Sequence, residues 1–490
     1  MEKKDKEELA ETEEPAEAGE STQQTEEGGE PPMRGRSFDI EVESTAKRRS
    51  LIIGLTWPAL AENILASLVS IVDNIMVAGL GSYAINAVGL VVQPRFIMMA
   101  AFMALGVGST ALVARFRGAR DPKSANAVLN QSMLITLAFT AVLCVVMLLF
   151  GESILRFLST GSLSEKTLEE AWAYFKIQIY GFPTLSLTFA INASLRGAGN
   201  TRASFYSNTA ANLVNVFFNY CMIGGNLGFP AWGVTGASVA TVIGQTVALG
   251  MAAYFVARGK NFVFFDFKTL FHIDWSMIKR ILNIGLPALV EQVIMRAGML
   301  LFVMIVTSLG DAAYTAHMVA MNIQQLSFTT GMAFGTAATT LVGQCLGRNR
   351  PDLAKIYVRM TQRMGLVVSV LVALLLFFGG RPIVGLYTNE AGIIALSVLM
   401  LQIIAVANPI SNARFIYISA LRGAGDSRFA AVITFVGVLL VRPLISAALV
   451  FYPLQIGLAG VWIALVSDGI ICYILSLMRY RKGDWQNIRV

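Results

Sequence analysis

Two carboxylates stand in a stretch otherwise apolar enough to cross a bilayer. Pro58–Gly81 reads PALAENILASLVSIVDNIMVAGLG and carries Glu62, Asn63, Asp73 and Asn74. An ionised carboxylate at membrane depth costs at least about 2.5–3.5 kcal/mol, so it faces a wet cavity or a partner. In a partly dry cavity open to one side, a carboxylate can take up a hard cation or a proton and lose its charge. Further along, Asn208, Asn212, Asn215 and Asn219 recur at three- and four-residue spacing, which places them on one helical face. Lipid-facing amides would be unpaired, so this stripe must face inward. A second constellation is basic. Arg296, Arg414 and Arg442 fall inside later apolar runs with His317, where the acids are limited to Glu291 and Asp468. Such arginines either form structural ion pairs or give a cavity positive potential suited to an anionic or zwitterionic ligand. Arg296 follows Glu291 by five residues and lies on another face of the same helix, so its partner is expected on a different helix.

Covalent catalysis finds little support. The two histidines, His272 and His317, are far apart, and Cys144, Cys221, Cys345 and Cys472 are scattered through apolar stretches without metal-ligand spacing. The expectation is a protein that is not an enzyme and needs no cofactor, with an integral-membrane transferase the rival set aside. Composition supplies the class: 55% of residues are hydrophobic and 14% charged, and apolar runs of about 20 residues recur from end to end. This pattern predicts an all-α integral membrane protein. The expected spans are 51–78, 84–114, 126–150, 170–195, 203–224, 232–257, 279–308, 313–345, 354–378, 392–420, 428–451 and 456–479. Pro94, Pro183 and Pro409 fall inside spans and are expected to bend them.

An even number of spans puts both termini on one side. Basic clusters at Arg115–Lys123, Arg196–Arg202, Arg258–Arg280, Arg348–Arg363, Arg422–Arg428 and Arg479–Lys482 occupy every second loop. By the positive-inside rule these loops and both termini are cytoplasmic in a multi-pass protein of the plasma membrane. The net charge of +7 therefore reflects topology, and no nucleic-acid partner is expected. Residues 1–48, acidic and poor in aromatics, are expected to form a disordered cytoplasmic tail. Residues 259–279 alternate aromatics with charges and are expected to lie along the membrane surface as a linker.

The chain is a repeat. Pro58–Ala125 aligns without a gap on Pro287–Ala354, pairing Glu62 with Glu291, Gly81 with Gly310 and Gly118 with Gly347. Asp73 falls opposite Phe302. Leu195–Arg202, LRGAGNTR, returns as Leu421–Arg428, LRGAGDSR. Six spans per half make the repeat parallel, so about 12 transmembrane helices are expected in two six-helix lobes. The lobes, residues 49–258 and 280–490, would be related by pseudo-two-fold symmetry along the membrane normal, with a cleft between them.

From about residue 50 to 482 the chain resembles the multidrug and toxic compound extrusion (MATE) family of the flippase-like superfamily. The resemblance rests on WPALAEN…VDNIMVAGLG, the paired LRGAG motifs, AHMVAMNIQQLSF, TTLVGQCLGRNRP and RYRKGDW, in that order. It implies a secondary antiporter, working as a monomer among membrane lipids, that expels small organic molecules in exchange for Na⁺ or H⁺. A lipid-linked precursor flippase or an organic-anion exporter of the same superfamily is the alternative. The resemblance assigns the coupling ion to Asp73, with Asn215, Asn219 and Thr241 completing the oxygen set. The acids that some relatives carry in helices five, seven and ten are replaced by Asn219, Met295 and Ser411, so a C-lobe cation site is not expected. Glu62, Glu291, Asn192, Asn208, Asn212, Arg296, His317, Gln324 and Arg414 are the candidate cleft residues. Met98, Met99, Met103, Phe96 and Phe102, with Met318, Met321 and Phe328, could wall a drug-binding cavity or serve ordinary packing.

Overall fold

The computed structural model describes residues 40, 44–159, 164–259, 261–265, 272–451 and 455–488. All of them belong to one compact unit within Arg34–Val490. Twelve long helices account for nearly all of this: α1 (Thr45–Ala78), α2 (Ser82–Gly118), α3 (Pro122–Leu158), α4 (Glu165–Gly197), α5 (Thr201–Gly224) and α6 (Gly233–Ala257). Then follow α7 (Trp275–Thr307), α8 (Asp311–Gly347), α9 (Pro351–Val384), α10 (Ala391–Gly423), α11 (Ser427–Val450) and α12 (Leu458–Lys482). Every expected span is found, extended at most ends by a turn or so. A helix of 37 residues such as α2 runs about 55 Å, well beyond the ~30 Å hydrocarbon layer, so helix ends such as Arg115–Arg117 project into water.

Starts and stops are written locally. Asp121, Ser164, Asn200 and Asp274 each accept a bond from a backbone N–H three residues on. Such caps stabilise a helix start by about 1 kcal/mol each. Pro122 and Pro351 occupy first-turn positions where a missing N–H costs nothing. Within each LRGAG motif, the first glycine lets two helices touch. A side chain at Gly197 would strike the Thr110 carbonyl, and one at Gly423 the Thr339 carbonyl. The second glycine, Gly199 or Gly425, adopts φ of 81° or 92°, a turn that favours glycine.

The helix pairings repeat with the sequence. In the first half α1 packs on α5, α2 on α3 and α4, α4 on α3 and α6, and α5 on α6. In the second half α7 packs on α11, α8 on α9 and α10, α10 on α9 and α12, and α11 on α12. Across the halves α1 meets α8 as α7 meets α2, and α2 meets α8 directly. These are two six-helix lobes related by a pseudo-two-fold axis.

Four apolar cores fill the molecule, and their location fixes the shape of the cleft. Two lie at the end bearing the basic loops and contain residues of both lobes: Ile52 and Leu55 with Leu341, Tyr357 and Leu421, and Leu105, Leu112 and Leu129 with Ile281 and Ile284. The two at the opposite end each belong to one lobe, around Phe175 and Phe182 or around Phe302 and Trp462, apart from Leu289 at the first one's rim. The lobes are therefore joined at the basic end and parted at the other. Reciprocal close contacts seal the joined end: a side chain at Gly118 would overlap the Gln344 carbonyl, and one at Gly347 the Arg115 carbonyl.

Among the described residues, nine helices are long and apolar enough to cross a membrane by composition alone; α4, α5 and α8 fall outside that set. Their amides and hydroxyls face the interior, as at Gln178, Asn192, Asn219, Gln324 and Gln344, all buried. Apolar side chains such as Leu149, Phe157 and Phe378 are instead exposed around the perimeter.

Three expectations change here. The helical α1 already begins at Thr45, within the stretch assigned to the tail, and residues 1–39 lie outside the described residues. Residues 261–265 of the linker fold under the first lobe, with Val263 buried and the Phe264 N–H donating to Asn126 Oδ1 at 2.8 Å. From Trp275 onward the linker stretch is already α7, while residues 260 and 266–271 lie outside the described residues. Met98 and Phe102 are fully buried among Phe175, Ile179 and Phe182, so they pack the first lobe rather than wall a cavity. Helical spacing of large apolar residues cannot separate those two roles.

Candidate functional site

Asp73 sits one turn and a half before the end of α1, half-buried, facing α5 and α6. Asn219 Nδ2 donates to Asp73 Oδ1 at 2.7 Å. Asn215, one turn earlier on α5, lies between that carboxylate and Thr241 of α6. With its amide nitrogen toward Thr241, the Nδ2–Oγ1 distance is 3.3 Å and Asn215 Oδ1 accepts from Asn219 Nδ2 at 3.4 Å. Turned over, the amide nitrogen comes within 3.2 and 3.1 Å of the two Asp73 oxygens, and its oxygen 3.3 Å from the Thr241 hydroxyl and N–H. The Thr241 hydroxyl itself donates to Ala237 O at 2.9 Å. The structure thus brings together all four residues expected to hold the coupling ion.

Two neighbours were not anticipated. Arg95 of α2 lies close enough for its charge to act on both Asp73 and Tyr174 of α4. Both residues could have been suspected from a charge and a hydroxyl inside spans, but no repeat partner marks them: Arg95 falls opposite Gln324 and Tyr174 opposite Met400. Among the described residues no three His, Cys, Asp or Glu side chains converge as a metal site, so any ion held here relies on one carboxylate plus neutral oxygens.

The other asparagines of the α5 stripe divide. Asn208 leaves the Asp73 group and donates to Glu62 Oε1 at 2.6 Å, with Arg196 close enough for its charge to act on the same carboxylate. Asn212 lies half-buried between the two groups. Asn192 is buried in α4 against Ser204 of α5, and its side-chain oxygen has no protein partner; it does not reach Asp73.

In the second lobe Glu291 repeats the Glu62 arrangement. Its Oε1 accepts from Arg422 Nη2 at 2.5 Å and from the Thr434 hydroxyl at 2.8 Å. Counted from the LRGAG motifs, Arg422 and Thr434 stand where Arg196 and Asn208 stand in the first half. The two glutamates thus stand in equivalent polar groups, with a direct ion pair in the second lobe.

The arginine constellation does not assemble as one group. Arg296 lies over the Phe96 ring of α2, 3.1 Å from its centroid, bridging the lobes. His317 is buried between Phe302 and Trp462, at centroid distances of 5.5 and 5.8 Å. Neither lines the C-lobe cavity. Gln324, Arg414 and Arg442 do, together with Ser327, Phe328, Asn408, Asn412, Phe415 and Asp468. Arg442 Nε donates to Asp468 Oδ2, and Arg414 Nη1 lies 3.8 Å from Oδ1.

A polytopic helical protein of two repeated lobes, parted at one end around buried ionisable groups, has the architecture of a membrane transporter. The comparisons are more specific. The family model MatE matches residues 58–221 and 287–447, and the chain belongs to that family, multidrug and toxic compound extrusion, whose members are transporters and not enzymes. "Probable multidrug resistance protein NorM" of Thermotoga maritima is 29% identical over 444 residues, covering 91% of this chain and 94% of that protein. "Uncharacterized transporter YisQ" of Bacillus subtilis is 26% identical, covering 89% of this chain and 94% of that one. A solved structure described as the outward-facing conformation of a multidrug resistance MATE family transporter is similar in fold, with a TM-score of 0.83 at 22% identity, covering 90% and 97% of the two chains.

Proposed function

We propose that the protein is a secondary active antiporter that exports small organic compounds across the plasma membrane in exchange for Na⁺ or H⁺ bound at Asp73. The observation that carries this reading is the grouping of Asp73 with Asn215, Asn219 and Thr241 on three helices of one lobe. Carboxylate, amide carbonyl and hydroxyl oxygens suit a hard cation, and a half-buried carboxylate also accepts a proton. The Asn215 amide supplies the switch in ligand character. With its nitrogen toward Asp73 it stabilises the free carboxylate; with its oxygen inward it joins Asp73 as a second ligand for a cation.

The basic loops and both termini face the cytoplasm in this reading, so the parted end faces outward. Asp73 then loads from outside, and neutralising it changes what α1, α5 and α6 must bury between them. Repacking of α1 weakens substrate binding, and residues 49–258 rock against 280–490 to close the outer end, as a monomer within the lipid. The tail and the 259–279 linker stay on the cytoplasmic face.

The test is ethidium transport into proteoliposomes holding the purified full-length chain, under an imposed Na⁺ gradient or an imposed pH gradient. Transport driven by one gradient, and collapsed by its ionophore, is the expected result. Transport at equal rate without any gradient would rule out antiport.

A further inference from the structure

The C-lobe cavity holds more cationic capacity than its internal ion pairing uses. Two guanidiniums, Arg414 and Arg442, share the single carboxylate of Asp468, which is 2% exposed. Arg442 is bonded directly to Asp468 and also lies over Phe302, 5.4 Å from the ring centroid. Arg414 stays 3.8 Å from the other carboxylate oxygen, too far for a hydrogen bond. It also lies over the Phe415 ring, 5.0 Å from the centroid. Its Nε is buried with no acceptor.

Neutral donors surround this group. Gln324 and Asn412 are each 2% exposed and Ser327 is buried beside them. The Asn412 amide has neither atom paired, and the Gln324 oxygen and the Ser327 hydroxyl also lack protein partners. All three line the same cavity as Arg414, whose remaining wall is apolar at Phe328, Ile404, Phe415 and Leu465. Buried polar groups are costly to leave unpaired, so a cavity concentrating them around an under-used guanidinium is built for a polar ligand. The repeat does not duplicate this pair in the first lobe: Thr188 stands where Arg414 stands, and Ser186 where Asn412 stands.

We propose that this cavity receives the carboxylate of an amphiphilic organic anion or zwitterion. Arg414 binds the carboxylate, the Asn412 and Gln324 amides flank it, and Asp468 holds Arg442 back as a fixed counter-charge. The assignment names a substrate class for the export reading and rests on it for its physiological meaning, but binding can be measured without transport.

The experiment is fluorescence anisotropy on the purified full-length chain in detergent, with two xanthene dyes: fluorescein, which carries a free carboxylate, and rhodamine 6G, its esterified cationic relative. Saturable fluorescein binding is expected, weakened about tenfold or more in Arg414→Gln and less in Arg414→Lys, in line with loss of a charge-assisted bond. Rhodamine 6G binding should be unchanged or tighter. Asp468→Asn should tighten fluorescein binding, because a second guanidinium is released. Equal fluorescein binding in wild type and Arg414→Gln, or none in the wild type, would overturn the assignment. So would a parallel loss of both dyes and of thermal stability in Arg414→Gln, the signature of a structural role. Fluorescein binding that persists where no gradient drives export would overturn the antiport reading and leave this site standing.

Discussion

The two lobes place opposite chemistry at matching positions. In the first, Asp73 of α1 faces Asn215 and Asn219 of α5 and Thr241 of α6. In the second, Phe302 replaces the aspartate on α7, and Arg442 of α11 lies over its ring. Asp468 of α12 then satisfies Arg442. One lobe keeps a carboxylate whose charge an ion can neutralise; the other neutralises its carboxylate internally with arginine. Elements that hold helices together are instead duplicated: Glu62 with Arg196 and Asn208, Glu291 with Arg422 and Thr434, and the two LRGAG contacts. Symmetry is kept where the repeat needs packing and lost where the lobes do different work.

α11 departs from its repeat partner in backbone as well. Residues Phe435–Val441 form a π-helical segment just before Arg442, whereas α5 is α-helical throughout. Pro443 has no N–H to return to the preceding turn, and the widened turn accommodates that loss. The wider turn sets Arg442 against Phe302 and Asp468.

The difference between the lobes can be tested by substitution, starting with the largest effect. Arg442→Leu strands Asp468 in a buried site and should destabilise the protein by about 3–5 kcal/mol in mixed-micelle unfolding, while Arg442→Leu/Asp468→Leu should recover most of that loss. If the single and double variants were equally unstable, Asp468 would not be neutralised by Arg442. Gly197→Ala and Gly423→Ala should cost similar amounts, about 1–3 kcal/mol each, because each forces α4 off α2 or α10 off α8; a large disparity would break the packing symmetry. Thr241→Val should change stability by no more than about 1 kcal/mol while raising the ion concentration needed for half-maximal export several-fold. Smallest of all, Phe96→Leu removes the ring under Arg296 and should cost about 0.5–1 kcal/mol, with dye binding in the C-lobe cavity unaltered.

Much of this was legible in the sequence because lipid imposes strict rules. Apolar length gave the spans, and the ungapped Pro58–Ala125 and Pro287–Ala354 alignment gave the two-lobe pairing. Asp73 and the α5 asparagines stood out because a carboxylate and amides inside spans must find partners, while their grouping with Thr241 came from the family resemblance alone. What stayed hidden depends on rotation about helix axes. Asn208 shares a face with Asn215, yet its height along α5 delivers it to Glu62. Arg296 is satisfied by an aromatic face across the lobe boundary, which no charge pattern announces. Arg95 and Tyr174 approach Asp73 from helices whose polar residues have no regular spacing.

The central claim is that Asp73 couples an ion gradient to export. It is tested most directly by comparing wild type and Asp73→Asn in proteoliposomes under the gradient that drives ethidium transport. Asparagine fills the same volume and can still bond to Asn219, so folding and dye binding should persist while gradient-driven transport falls to the level of empty liposomes. Full gradient-driven transport by Asp73→Asn would contradict the account.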